Sequence, residues 1–494
     1  MDKHLPELSA VELRRMIGAR EVSPVELLEA CIARIEAIDP AVNAICAKDY
    51  ERARATARLA EAQVMRGDSL GMLHGLPLGV KDLLDTEGLL TTHGNIGFRN
   101  HVPKTDNTLV ARLRAAGAIV TCKTNVPDQG AGANTRNPVW GATGNPFNPL
   151  LNAGGSSGGS AVALATDMLP LCTGSDTGGS LRIPSALCGV VALRPSPGLV
   201  ANAARSLGWS GLSVLGPMAR SVSDCAFMMA ACVGHDAQDP LSYPASAGEF
   251  WPLQAADLSK LRVGTTEDFG LCAVDPGIRR VFRQRVAMIA PQVALCEPVD
   301  LQLGDADRAF DILRAEGFVA SYADTARDTL GPNVRANLDL AANITLADRA
   351  WAHLEQTRIA RRFASVLERY DLILAPTSPV SPFPWTELYA THVDGQAMKN
   401  YYHWLALTYV VTLATNPAMS LPCGRDEQGM PFGLQVIGHL RGDARLLSAA
   451  QVLEEMFEGS QTTQRPRPEL GKLTRPTPPL KGIVTHPPRT GIAH

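Results

Sequence analysis

The chain has 494 residues, 45% of them hydrophobic, with 46 Lys+Arg against 49 Asp+Glu and a formal net charge of −3. That length fits roughly two to four average domains or one large α/β enzyme domain. The near-balance of charge gives no general attraction to nucleic acid or to an anionic membrane. The opening stretch Met1 to Glu7 lacks the apolar segment of a secretory signal, and no run reaches the roughly 18 apolar residues of a membrane span. The ten cysteines form no CxxC pair. A reducing cytoplasm is the expected setting, with no metal and no cofactor.

In chain order the first elements are helical. Ser9 with Glu12, and Ser23 with Pro24 and Glu26, read as helix starts. Leu27, Leu28, Cys31, Ile32 and Ile35 recur at helical spacing, and Asp39-Pro40 is expected to end that helix. Residues 51–66, rich in Ala, Glu and Arg, form another, so helices fill about 8–66. Leu76 to Val80 is expected as a buried strand, Thr108 to Ala116 as a helix and Gly117 to Val120 as a strand. A small-residue helix at Ser160 to Thr166 and a strand at Val190 to Leu193 follow. Asp236 to Lys260 is a looser connection, after which Leu261 to Gly264 and Tyr370 to Pro376 read as strands. Leu405 to Ala414 reads as buried core ended by Asn416-Pro417. Strands alternating with helices predict an α/β fold with helices on both faces of a sheet. Beyond about Gln461 the chain is Pro-rich and basic, a surface-hugging or disordered tail.

The least ordinary composition lies between Gly154 and Gly189, where the loops Gly154 to Ser160 and Gly174 to Ser185 flank the small-residue helix. Glycine at this density loses backbone entropy on folding, so something should need close backbone approach or exposed N–H groups. Oxyanion or anion binding is the physical use. A phosphate-binding P-loop would need a lysine that Gly158-Gly159-Ser160-Ala161 lacks. Gly155-x-Ser157-x-Gly159 matches the nucleophile elbow of α/β-hydrolases, but Asn145 to Pro149 stands where an apolar strand should. Asp176-Thr177-Gly178 is one aspartic-protease triplet where two are needed. A pair of flexible loops is the bland alternative.

These loops resemble the Gly/Ser-rich signature of the amidase signature hydrolases. The resemblance continues at Gly75 to Asp82, Lys123 to Asp128, Leu215 to Arg220, Leu374 to Thr377 and Pro431 to Gly438, spanning most of 8–455. It implies a large mixed sheet covered by helices, in one domain over 1–460. Within it lie a signature core at 75–235 and a more variable substrate side at about 240–410, and the tail 461–494 follows. Carried over residue by residue, it places the lysine at Lys81, the bridging serine at Ser156 and the nucleophile at Ser180. Thr177, Gly178, Gly179 and Ser180 would supply oxyanion donors, and Gly130 and Ala131 would border the substrate.

The residue types suit that chemistry. A serine hydroxyl needs a base to take its proton. No histidine lies near these loops, and Lys81 follows an apolar strand that would carry it inward, where burial lowers an amine's pKa. Arg182 and Asp176 read as loop-holding residues, and Cys188 as packing. Two departures from the family pattern stand out: Cys122 replaces a glycine and Arg194 a lysine. The region around Arg194 and Ala201 to Ser213 is unlike the glutaminyl-tRNA amidotransferase subunit. The expected partner is a small-molecule amide, anilide or carbamate, with a homodimer left open. The rivals are a silent binding protein on the same fold, a glutamine-hydrolysing amidotransferase subunit, and an α/β-hydrolase using Ser157. Trp351, Trp385, Tyr401, Tyr402 and Trp404, with the small residues near Gly130, suggest a wide apolar pocket that prefers aryl substrates.

Overall fold

The computed structural model describes residues 4–489. Residues 1–3, and the last five of the expected tail, lie outside them. Eleven strands make one sheet: β1 (Ile45–Lys48), β2 (Pro77–Lys81), β3 (Ile119–Thr124), β4 (Leu171–Asp176), β5 (Val191–Arg194), β6 (Val214–Ala219), β7 (Arg262–Thr265), β8 (Leu295–Pro298), β9 (Leu372–Pro376), β10 (Ala418–Arg425) and β11 (Pro431–Ile437). Their order is β1-β3-β2-β4-β6-β5-β10-β11-β9-β7-β8. The sheet is mixed: β2 runs parallel to both β3 and β4, while β4–β6, β6–β5 and β5–β10 are antiparallel.

The helices are α1 (Ala10–Gly18), α2 (Pro24–Val42), α3 (Tyr50–Arg66), α4 (Thr108–Ala115), α5 (Gly158–Ala165), α6 (Arg182–Cys188), α7 (Val222–Cys232), α8 (Pro276–Ile289), α9 (Ala306–Tyr322), α10 (Pro332–Ala341), α11 (Leu346–Leu367), α12 (Ala406–Ala414) and α13 (Asp443–Glu458). Alternate strand residues enter two different cores, as the twofold strand period requires. Leu171, Val191, Leu193 and Ala219 join the larger core, with residues of α1 and α7. Cys172, Ala192 and Met218 join the second, with Ile35, Ile38 and Val42 of α2 and Val162 and Leu164 of α5. Both faces are therefore covered, as the strand–helix alternation predicts.

Ser9 and Ser23 cap α1 and α2, their hydroxyls accepting the N–H groups of Glu12 and of Val25 and Glu26. The expected end of α2 at Asp39-Pro40 is corrected: the helix runs to Val42 with Pro40 inside it. A proline that close to the end removes a single helical hydrogen bond. Asp39 compensates by accepting the N–H groups of Ala44 (2.7 Å) and Ile45 (2.9 Å), and Asn43 ends the helix in the left-handed conformation. Of the two readings of the tail, residues 461–489 take the surface-hugging one. Leu473 and Leu480 are buried, and the N–H groups of Thr477 and Thr485 donate to the carbonyls of Pro40 and Pro138.

Candidate active site

Lys81 is the last residue of β2, and its strand lies between β3 and β4. Its N–H donates to the Thr173 hydroxyl on β4 at 2.9 Å, fixing the strand end. The side chain is wholly buried. Its Nζ donates to the hydroxyls of Ser156 (2.8 Å), Ser157 (2.8 Å) and Ser175 (2.9 Å). Burial pulls its pKa down to about 7, against the upward pull of the Asp176 carboxylate.

The two Gly/Ser loops converge on this amine because one leads into α5 and the other links β4 to α6. A cavity of about 320 Å³ opens over them, lined among others by Gly130, Ser156, Ser175, Thr177 and Ser180. Ser180 is half-buried and reachable from the cavity. Ser157 is fully buried and off the cavity wall, its hydroxyl turned to Lys81, which weakens the nucleophile-elbow alternative. Gly130 has φ +69°, and a Cβ there would lie 2.6 Å from Leu83 Cδ1 and 3.6 Å from Ser156 Oγ, so a side chain would crowd the cavity. Ala131 is different from its expected place: it is buried in a small cluster with Leu330 and Val334 and does not line this cavity. Its carbonyl accepts from Asn333 (2.7 Å), which turns that peptide toward α10.

Of the four N–H groups expected as oxyanion donors, one is already engaged within the protein. The Gly179 N–H is already committed to Asp176 Oδ1 at 2.9 Å, whereas those of Thr177, Gly178 and Ser180 have no acceptor among the described residues. The loop is held from behind: the Thr408 hydroxyl donates to the Gly178 carbonyl at 2.7 Å, and a Cβ on Gly179 would sit 2.2 Å from that hydroxyl. Asp176 is the anchor. Burial alone would raise its pKa, but Arg182 and Arg194 overcome that and hold it well below the usual carboxylate range. Arg182 reaches it with two nitrogens at 3.0 Å each and also donates to Gln435 and Thr412. Arg194 donates to the Asp176 carbonyl (2.8 Å) and to that of Leu212 (3.0 Å). Arg194 thus ties the loop that follows β4 to the 211–212 segment.

The aromatic expectation needs correction. Tyr401, Tyr402, Trp404 and Trp385 are core residues and do not line the cavity, and Trp351 packs under Arg308 away from it. Their polar tips are satisfied inside the protein: the Tyr401 hydroxyl accepts from Arg314 and Asn337, the Tyr402 hydroxyl donates to Asp311, and the Trp404 indole donates to the Tyr401 carbonyl. The rings on the cavity wall are instead Phe318 and Tyr322, on α9, and the imidazole of His93. Ser175 as a partner of Lys81 was also missed. The signal was present, since Thr173 and Ser175 alternate along one face of β4. Among the described residues the one group able to hold a metal is Asp85, His93 and His101, where Asp85 Oδ1 lies 3.3 and 3.7 Å from the two Nε2 atoms.

Comparison with known proteins agrees with this architecture. The chain is 33% identical over 493 residues to a glutamyl-tRNA(Gln) amidotransferase subunit of Chloroflexus aurantiacus, covering 94% of this chain and 99% of that one. Among solved structures it resembles a bacterial aryl acylamidase of the amidase signature family, at 28% identity and TM-score 0.84, covering 91% of this chain and 96% of the other. It also resembles 6-aminohexanoate cyclic dimer hydrolase, at 26% identity and TM-score 0.80, covering 95% and 100%. The amidase family model matches residues 26–447. With that match across the Gly/Ser loops and the buried lysine alike, the chain belongs to the amidase signature family.

Proposed function

We propose that this protein hydrolyses the C–N bond of a carboxamide-type substrate (an amide, anilide or carbamate) through an acyl-enzyme on Ser180. One observation carries the reading: a buried amine whose pKa is lowered to about 7 lies 2.8 Å from the hydroxyl of Ser156, a residue that lines the same cavity as Ser180. Neutral Lys81 takes the Ser156 proton while Ser156 takes that of Ser180, and Ser180 Oγ adds to the carbonyl carbon. The N–H groups of Thr177, Gly178 and Ser180 receive the oxyanion, each such donor worth roughly 3–4 kcal/mol of barrier. On collapse the C–N bond breaks, Ser156 passes a proton to the leaving nitrogen and regains one from the Lys81 ammonium. Water then adds to the acyl group by the same relay, releasing the acid and restoring Ser180.

A second reading takes glutamine as the substrate, as the name of the amidotransferase relatives suggests. The test is a substrate series on purified protein, from acetamide through glutamine to aryl anilides and phenyl carbamates, with the covalent intermediate mapped by mass spectrometry. Phe318, Tyr322 and Leu83 on the wall favour aryl substrates, each buried ring edge adding about 1–3 kcal/mol of discrimination. The acyl adduct is expected on Ser180 and absent from Ser180→Ala. An adduct on Ser157, or no turnover of any member, would overturn the proposal; preference for glutamine would favour the second reading.

A further inference from the structure

We propose that Arg314 recognises a negatively charged group, a carboxylate, on the substrate, so that the cavity selects anionic amides over neutral ones and over glutamine. The inference rests on the reading of the cavity as an amide-hydrolysing site. Arg314 sits on α9, is only 8% exposed, and lines the same cavity as Ser156 and Ser180. Its guanidinium is wedged among rings, 4.8 Å from the centre of Phe318, 4.9 Å from Tyr402 and 5.4 Å from Tyr401. One hydrogen bond pins it, from Nη2 to the Tyr401 hydroxyl at 2.7 Å, and its Nε has no partner.

No carboxylate among the described residues pairs with it. The acidic groups along α9 are engaged elsewhere: Asp311 accepts from the Tyr402 hydroxyl at 2.5 Å, and Glu316 pairs with Arg349 and His353. Aromatic faces attract a cation but do not neutralise it, and a buried charge without a counter-ion is unfavourable. The second arginine on the wall, Arg205, shows the contrast, because Asp239 pairs with it at 3.3 Å. Arg314 thus offers an unneutralised, rigidly held fork of donors, the group that carboxylates bind best.

The position suits substrate recognition. Leu313, Arg314, Gly317, Phe318, Ser321 and Tyr322 recur at three- and four-residue spacing and present one face of α9 to the cavity. Phe310, one turn earlier, reaches the oxyanion loop, where a Cβ on Gly178 would lie 3.0 Å from its Cζ. Arg314 therefore stands about 6 Å further along the helix axis, within reach of a carboxylate a few bonds from the scissile carbonyl. Glutamine carries a carboxylate that Arg314 could bind, but its zwitterionic end fits less well. Its α-ammonium would need an acidic partner, and the lining contains two arginines and no Asp or Glu among the described residues.

Two matched pairs separate a charge on the acyl side from one on the leaving group: succinyl against 4-methylpentanoyl p-nitroanilide, and N-acetyl-4-aminobenzoate against 4-isopropylacetanilide. In one arm at least, the carboxylate member should show a tenfold or greater advantage in kcat/KM, carried mainly by KM. That ratio should collapse toward one in Arg314→Gln and be partly retained in Arg314→Lys. Because each ratio is taken within one variant, a general loss of folding or activity cancels. Calorimetric titration of the same pairs into Ser180→Ala reads the preference without turnover. Failure of all substrates to turn over, with the carboxylate member still binding more tightly, would count against the amidase reading and for this one. Equal kcat/KM and equal binding within both pairs, or a ratio unchanged by Arg314→Gln, would overturn it.

Discussion

Two lysines on adjacent strands are both fully buried, yet only one meets serines of the cavity wall. Lys81 ends β2, and Lys123 on β3 stands beside Val80 in the parallel register. Burial lowers both, Lys81 to about 7 and Lys123 to about 8, the latter against the pull of Asp82. Their surroundings differ. Lys81 is met by three serine hydroxyls, two of which line the cavity. Lys123 donates to the Leu84 carbonyl and the Thr86 hydroxyl and does not reach the cavity. A depressed pKa is therefore a consequence of burial and marks a catalytic base only where a relay leads to a nucleophile.

Substitutions should split the two. Lys81→Ala is expected to lower kcat by about 10²–10⁴-fold, the span of general acid–base contributions, with the fold retained by circular dichroism. Lys123→Met should act on stability instead. It removes the buried donor shared by the Leu84 carbonyl and the Thr86 hydroxyl, which keep only their 3.0 Å bond to each other, a loss of roughly 1–3 kcal/mol in chemical denaturation, with kcat of the folded fraction retained. If Lys123→Met removed activity as completely as Lys81→Ala, the contrast would fail. A smaller effect is expected at Ser175, whose hydroxyl accepts from Lys81 at 2.9 Å without lying on the proposed relay. Ser175→Ala should lower kcat/KM by roughly tenfold at most, as the loss of about one hydrogen bond implies.

The contrast also explains what was legible in the chain. Lys81, Ser156 and Ser180 could be named because Gly/Ser loops are locally conspicuous and matched a family; Ser156 and Ser180 line one cavity, and the buried Lys81 amine lies 2.8 Å from the Ser156 hydroxyl. The caps at Ser9 and Ser23 were legible for the same local reason. Pro40 misled because whether a proline ends a helix depends on what the next residues can bond, here the Asp39 carboxylate. Tyr401 and Tyr402 misled because their hydroxyls find partners on α9 and α10, more than sixty residues earlier in the chain, and Trp404 because its indole is satisfied by the Tyr401 carbonyl. Arg314 was invisible in the sequence: one arginine in an amphipathic helix looks like solvated surface until the absence of an anion beside it is seen.

The central claim is that neutral Lys81, and no other buried amine, activates Ser180. The most direct measurement is the rate at which a fluorophosphonate labels Ser180 as a function of pH, in the wild type, Lys81→Ala and Lys123→Met. A lowered lysine pKa means that the neutral base prevails above about 7, so the rate should rise with pH to a plateau past that value. That titration should vanish in Lys81→Ala and persist unshifted in Lys123→Met. A rate that falls as pH rises through 7, a titration that survives in Lys81→Ala, or one that moves with Lys123→Met would contradict the account.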